Sequence, residues 1–123
     1  MNNEVIIALG SNINARQNIE KAFERLQKQF QLKKQAGPVV TSPIGIADQP
    51  DFLNAVALIE TALSMEALVS VLKKIENEMG RDRSRAKFGP REIDLDVLIW
   101  NGKVVDDDYY ERVFLLRLVK ELE

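Results

Sequence analysis

Two aspartates one residue apart, Asp94 and Asp96, stand inside the run Ile93-Asp94-Leu95-Asp96-Val97-Leu98-Ile99. Alternation of this kind is strand chemistry, with Ile93, Leu95, Val97 and Ile99 expected on a core-facing side. Both carboxylates then leave the opposite face, about 6.5–7 Å apart along the backbone. Parallel carboxylates repel unless a cation lies between them. An open set of oxygen ligands suits Mg²⁺, which keeps some waters and takes further ligands from phosphates. An ordinary solvated strand face can carry the same pair, so the flank matters. Immediately upstream, Arg81, Arg83, Arg85, Lys87 and Arg91 put five cations into eleven residues against the single acid Asp82. Alone, that cluster is equally a solvated loop or a weak nucleic-acid patch. Guanidinium forks bind phosphate oxygens, however, and carboxylates hold the metal that bridges phosphates. Cluster and pair together are the inventory of phosphoryl or pyrophosphoryl transfer, a reaction that needs positioning and charge neutralisation more than covalent help.

A second group of residues is Asp48-Gln49-Pro50-Asp51-Phe52-Leu53-Asn54-Ala55. A Phe at a loop-to-strand junction, followed two residues later by Asn, suits a flat heterocycle. The ring stacks on the aromatic while the amide pairs with donor and acceptor edges. The plainer reading makes Phe52 a core residue and Asn54 a partner for local backbone. Neither a G-x-x-x-x-G-K-[ST] loop nor a kinase G-x-G-x-x-G is present. Leu9-Gly10-Ser11-Asn12 is too short for a phosphate cradle and reads as a tight turn.

Composition narrows the chemistry further. The 123 residues contain no Cys and no His, which excludes disulfide scaffolds, thiol nucleophiles, Cys/His metal sites and imidazole acid–base catalysis. Catalysis is left to carboxylates, Arg and Lys, hydroxyls, backbone amides or an oxygen-held metal. A net charge of −2 argues against general attraction to nucleic acid or to an anionic membrane. No apolar run approaches the roughly 20 residues that span a bilayer. Met1-Asn2-Asn3-Glu4 lacks a basic leader region, so the expected location is the cytoplasm. With 46% apolar and 29% charged residues, the chain is expected to form one globular domain over residues 1–123.

The elements that must position these residues follow from periodicity. Val5 to Leu9 is a short apolar strand. From Asn14 to Phe30, Ile19, Ala22, Phe23, Leu26 and Phe30 form one apolar helical stripe. Residues 31–41 read as a weaker strand, 42–51 as a loop and 52–61 as a strand. Ser64 is a suitable N-cap for a helix that buries Leu68, Val71, Leu72, Ile75 and Met79, and Gly80 suits its C′ position. Asn101-Gly102 predicts a two-residue hairpin returning through 103–105, and a final helix is expected over about 109–122. The order βαββαβ plus a terminal helix predicts a ferredoxin-like α+β sandwich, with helices on one face of an antiparallel sheet.

Three segments in this order resemble the motifs of the 6-hydroxymethyl-7,8-dihydropterin pyrophosphokinase family. They are Ala8-Leu9-Gly10-Ser11-Asn12, Gln49-Pro50-Asp51-Phe52-Leu53-Asn54-Ala55, and Gly80-Arg81-x-Arg83 followed by Gly89-Pro90-Arg91-x-Ile93-Asp94-Leu95-Asp96. The likeness runs over roughly residues 4–102, and its last run is the most specific part. It implies a ferredoxin-like fold and transfer of the β,γ-diphosphate of ATP to the pterin hydroxymethyl group, with two Mg²⁺, in folate biosynthesis. Asp94 and Asp96 would hold the magnesium ions, while Arg81, Arg83 and Arg91 would grip the ATP phosphates as catalytic residues. Glu76, on the exposed side of the second helix, would serve the nucleotide side, with Phe88 standing where the family often has Trp. Phe52 and Phe114 would stack the pterin from its two sides, Ser42 and Asn54 would read its polar edges, and Arg112 would lie near the phosphates.

The chain departs from the family pattern where a longer segment with a Pro-His pair commonly follows the last strand. Here Val105-Asp106-Asp107-Asp108-Tyr109-Tyr110-Glu111 takes that place, and Lys73 stands where an amide is sometimes found. The expectation is therefore a small-molecule enzyme, monomeric or weakly dimeric, using pterin and ATP and neither nucleic acid nor membrane. The alternative is a pterin-binding pseudoenzyme or a paralogue with a weakened or altered nucleotide site.

Overall fold

The computed structural model describes residues 2–43, 45–85 and 89–123. Strand β1 (Asn3–Ser11) is followed by helix α1 (Ala15–Gln29), strands β2 (Gln31–Thr41) and β3 (Phe52–Thr61), and helix α2 (Met65–Glu78). Strands β4 (Asp94–Trp100) and β5 (Lys103–Val104) and helices α3 (Asp108–Glu111) and α4 (Val113–Glu121) complete the chain. The sheet order is β2-β3-β1-β4-β5, every pairing is antiparallel, and the first four strands give the expected ferredoxin-like arrangement.

β1 lies between β3 and β4, and both of its faces are covered. Val5, Ile7 and Leu9 point into a core with Ile19, Leu26, Leu72 and Ile75 from α1 and α2. Ile6 and Ala8 point the other way, toward Leu115, Leu118, Val119 and Leu122 of the C-terminal segment. A strand buried on both sides must read as a continuous apolar run, as Val5–Leu9 does. Ser64 caps α2, its Oγ accepting from the Ala67 N–H at 3.2 Å. Asn101 and Gly102 take φ values of 48° and 81°, the left-handed pair that a tight hairpin needs.

Three local expectations need correction. The alternation in β4 breaks at a bulge, where the register to β1 passes from Ile7↔Val97 to Ile6↔Ile99. Leu98 and Ile99 both join the cluster under α4, so Ile99 is not on the face of Leu95 and Val97. The strand after the hairpin is shorter than expected, ending at Val104. The C-terminal segment is two helices, because Arg112 has an extended backbone (φ −117°, ψ 104°) between α3 and α4. That break lets α4 cross the face opposite α1 and α2. Helices therefore cover both faces of the sheet, the pair on one side and the C-terminal helix on the other.

Leu118, at 1% exposure, anchors α4 to its face of the sheet. Leu118→Ala is expected to destabilise the protein by about 2–5 kcal/mol in urea titration. A cost below about 0.5 kcal/mol would mean that α4 is not docked in solution.

Candidate functional site

The site is built on one row of the sheet. Gly10 of β1 stands opposite Asn54 of β3 on one side and Asp94 of β4 on the other. Residues opposite one another across strands share a face, so Asn54 and Asp94 flank a position that has no side chain. The next row in β4 puts Asp96 opposite Ala8, and period-two alternation leaves Phe52 on the Asn54 face. A Cβ placed on Gly10 would come within 3.1 Å of Asn54 Oδ1. Glycine is therefore the floor that lets the Asn54 amide lie across β1. Asn54 Nδ2 donates to Thr41 Oγ1 at 2.6 Å, which fixes the amide plane.

Above this row lies a cavity of about 450 Å³, within the size range of small-ligand sites. Phe52, Asn54 and Ser42 line it on one side, Phe114 and Arg112 on another, and Arg81, Arg83, Arg91 and Asp94 on a third. Asp96 is not on this wall. It lines a smaller cavity of about 150 Å³ with Lys73, Glu76, Arg81, Arg83 and Asp94, and a third of about 40 Å³ with Asp94, Asp106, Asp108, Arg112 and Phe114. Asp94 borders all three and is the hinge between them. Phe88 lies outside the described residues.

The arginines do not present bare positive charge. Arg81 Nη1 donates to Asp94 Oδ1 at 3.0 Å and to the Ile93 carbonyl at 3.1 Å. Arg91 Nη1 donates to Asp94 Oδ2 at 2.9 Å, and its guanidinium carbon lies 5.9 Å from the centre of the Phe52 ring, within cation–π range. Arg83 Nη2 donates to Glu76 Oε1 at 2.6 Å, Arg85 donates to Glu92, and Arg112 stands 3.5 Å from Asp108. Of the five cations read from the sequence, the four arginines each rest against a carboxylate, and Lys87 lies outside the described residues.

Glu76 corrects a second expectation. It is only 3% exposed, not on the exposed side of α2. Its Oε2 accepts from the backbone N–H of Leu95 at 2.6 Å. β5 pairs with β4 only at Ile99 and Trp100, so the Leu95 N–H has no partner on that edge and a carboxylate supplies one. The helical stripe hid this, because Glu76 follows Ile75 and its polar type suggested solvent.

Asp96 has an exposed edge, yet its carboxyl is crowded. Burial, then the charges of Asp94, Glu76 and Asp106, push its pKa up to about 7. Asp94 has two arginines and Asp96 has a surplus of like charge around it, so a divalent cation at this pair would relieve repulsion. Among the described residues no three His, Cys, Asp or Glu side chains form a metal cage. Two carboxylates open to a cavity nevertheless fit Mg²⁺, which commonly takes one or two carboxylates and completes its shell with water and phosphate. Sequence reasoning missed Thr41, which orients Asn54, and placed Asn12 in a turn and in the Ala8–Asn12 motif without giving it a role. The Gly10-Ser11-Asn12 motif was the available signal for Asn12.

Fold and cavity together define an α+β protein suited to holding an anionic small molecule beside an aromatic one. Within that class, the model of the 7,8-dihydro-6-hydroxymethylpterin-pyrophosphokinase family matches residues 6–123, and the chain belongs to that family. A folate synthesis bifunctional protein of Arabidopsis thaliana is 39% identical over 97% of this chain, which spans 27% of that protein's length. A 2-amino-4-hydroxy-6-hydroxymethyldihydropteridine pyrophosphokinase of Bacillus subtilis is 35% identical over 99% of this chain and 79% of its own. The Haemophilus influenzae protein of the same name is 40% identical over 83% of this chain and 65% of its own. The family resemblance carried by the three motifs is borne out. Among the described residues no helix is long and apolar enough to cross a membrane.

Glu76→Ala would strand the Leu95 N–H and release Arg83, and an unmet buried group costs about 1–3 kcal/mol. Glu76→Gln keeps an acceptor and should lose less. Equal urea midpoints for the two variants would remove Glu76 from this bracing role.

Proposed function

We propose that the chain transfers the diphosphate of ATP to 6-hydroxymethyl-7,8-dihydropterin, giving the pterin diphosphate and AMP, as a step of folate biosynthesis. The observation that carries this reading is the shared cavity. Two aromatic rings, Phe52 and Phe114, and the Asn54 amide line the same space as Arg81, Arg83, Arg91 and Asp94. The family match and the names of the relatives support the substrate pair.

In this reading the pterin ring lies against Phe52 and Phe114, with its amide-like edge toward Asn54 and Ser42. The pterin hydroxyl oxygen attacks the β-phosphorus in line. A new O–P bond forms, the bond from the β-phosphorus to the α–β bridging oxygen breaks, and AMP leaves with that electron pair. Arg83 and Arg91 move from their carboxylates to the phosphate oxygens and stabilise the developing charge. No imidazole base is available, because the chain has no His, and the hydroxyl proton passes to solvent. Asp94 and Asp96 would hold Mg²⁺, two ions by family resemblance, which supplies Lewis-acid neutralisation of the phosphate charge. Glu76 keeps Arg83 near the nucleotide side, and Arg112 faces the same space from the break between α3 and α4. The protein is read as a single cytoplasmic domain acting as a monomer or weak dimer.

Release of AMP from ATP and hydroxymethyl-dihydropterin tests this directly. The wild-type chain should produce AMP, and Asp94→Ala or Asp96→Ala should lower the rate by about 10³-fold with an unchanged circular dichroism spectrum. Pterin binding with no AMP release by the wild type would make the chain a binding module. Retained turnover in either variant would sink the metal assignment.

A further inference from the structure

Asn12 ties together the end of β1, the segment before Phe52 and the backbone of Arg91, and Gly10, Phe52 and Arg91 of these stretches line the cavity. It follows the last residue of β1 and is 5% exposed. Its Nδ2 donates to Gln49 Oε1 at 2.9 Å and to the Pro50 carbonyl at 3.0 Å. Its Oδ1 accepts from the Arg91 N–H at 2.9 Å, and its own N–H donates to the Arg91 carbonyl at 3.2 Å. One residue thus holds both backbone groups of Arg91 and the chain two residues before Phe52.

The chemistry of the side chain fits this task closely. A planar amide offers two donors and an acceptor at fixed angles. The partners fix its orientation: two oxygens face the NH₂ and one N–H faces the carbonyl oxygen, so the flipped amide would lose all three bonds. Asp lacks the donors, and Gln would overshoot by a methylene. Gln49 in turn donates from Nε2 to the Ile46 carbonyl at 2.6 Å, so the tether extends into the 45–50 loop.

We propose that Asn12 is a positioning residue that sets the distance between the aromatic platform at Phe52 and the arginine at position 91. This rests on the functional reading above, in which the ring lies on Phe52 and Arg91 meets phosphate. Each half of the reaction has its own contacts, and beside the sheet row and the Arg91 side-chain contacts with Asp94 and the Phe52 ring, Asn12 ties the Arg91 backbone to the segment that leads into Phe52. A displacement of about 1 Å between reacting groups can cost about 100-fold in rate. Losing Asn12 should therefore damage turnover far more than the affinity for either substrate.

The test compares the wild type with Asn12→Ala and Asn12→Asp in the AMP-release assay, well below their unfolding temperatures. Asn12→Ala should lower kcat by about 100-fold while the KM values for pterin and ATP stay within about threefold. Asn12→Asp keeps the acceptor for the Arg91 N–H but loses both donors and sets a carboxylate against the Gln49 and Pro50 oxygens, so the link is cut and its kcat should also fall by about 100-fold. Hydrogen exchange of the Arg91 amide should be slow in the wild type and in Asn12→Asp but fast in Asn12→Ala. If Asn12→Ala does not fold, Asn12→Asp carries the same comparison of kcat against KM. An unchanged kcat in a folded variant, or KM values that rise in step with the loss of kcat, would overturn the proposal while leaving an active wild type intact. A wild type that releases no AMP would instead overturn the functional reading, and the positioning role with it.

Discussion

The row Asn54–Gly10–Asp94 across β3, β1 and β4 is the constraint on which the rest of the site depends. Strand register makes a row rigid, because a slip of one residue would turn every side chain to the other face. The apolar residues of β1, packed on α1 and α2 at one face and on α4 at the other, fix that register. With the row fixed, the amide, the bare floor and the carboxylate are held in line. The cavity opens where α4 stops covering the sheet, at the end that carries this row. Core packing and site geometry are thus the same fact seen from two sides of a strand.

The electrostatics of the cavity are those of a balanced store of charge. Asp94 accepts from Arg81 and Arg91, and Glu76 accepts from Arg83. A phosphate arriving at these arginines replaces one anionic partner by another, so little net charge is desolvated in the exchange. A cation arriving at Asp94 does the converse. On the proposed reading the two events would assist one another, since each would remove the partner that the other ligand would otherwise have to displace. Asp96, whose carboxyl is held up by burial and by neighbouring acids, lacks such a partner among the described residues and marks the side where positive charge is wanted.

Several elements were legible because a local pattern had one dominant physical cause. The helical stripes of α1 and α2, the Ser64 cap and the Asn101-Gly102 turn depend on spacing and on side-chain type within a few residues. Phe52, Asn54, Asp94 and Arg91 were found as candidates because ring, amide, carboxylate and guanidinium each announce a chemistry. The failures were of another kind. The bulge at Leu98, the break at Arg112, the burial of Glu76 and the tethering by Asn12 all answer to partners distant in the chain.

The sequence by itself determined which chemistry was open to this protein. Without His or Cys, and with arginines and an Asp-x-Asp pair in sixteen residues, it could offer phosphate and magnesium chemistry and not imidazole or thiol chemistry. It also determined the alternation and the breaks that define strands and helices. Only the tertiary structure decided which of those groups face one cavity, which arginine rests on which carboxylate, and that a glutamate on α2 caps an edge of β4. Residue type and short-range spacing are properties of the chain, whereas the pairing of charges and the satisfaction of buried donors depend on neighbours brought together only when the sheet closes its register.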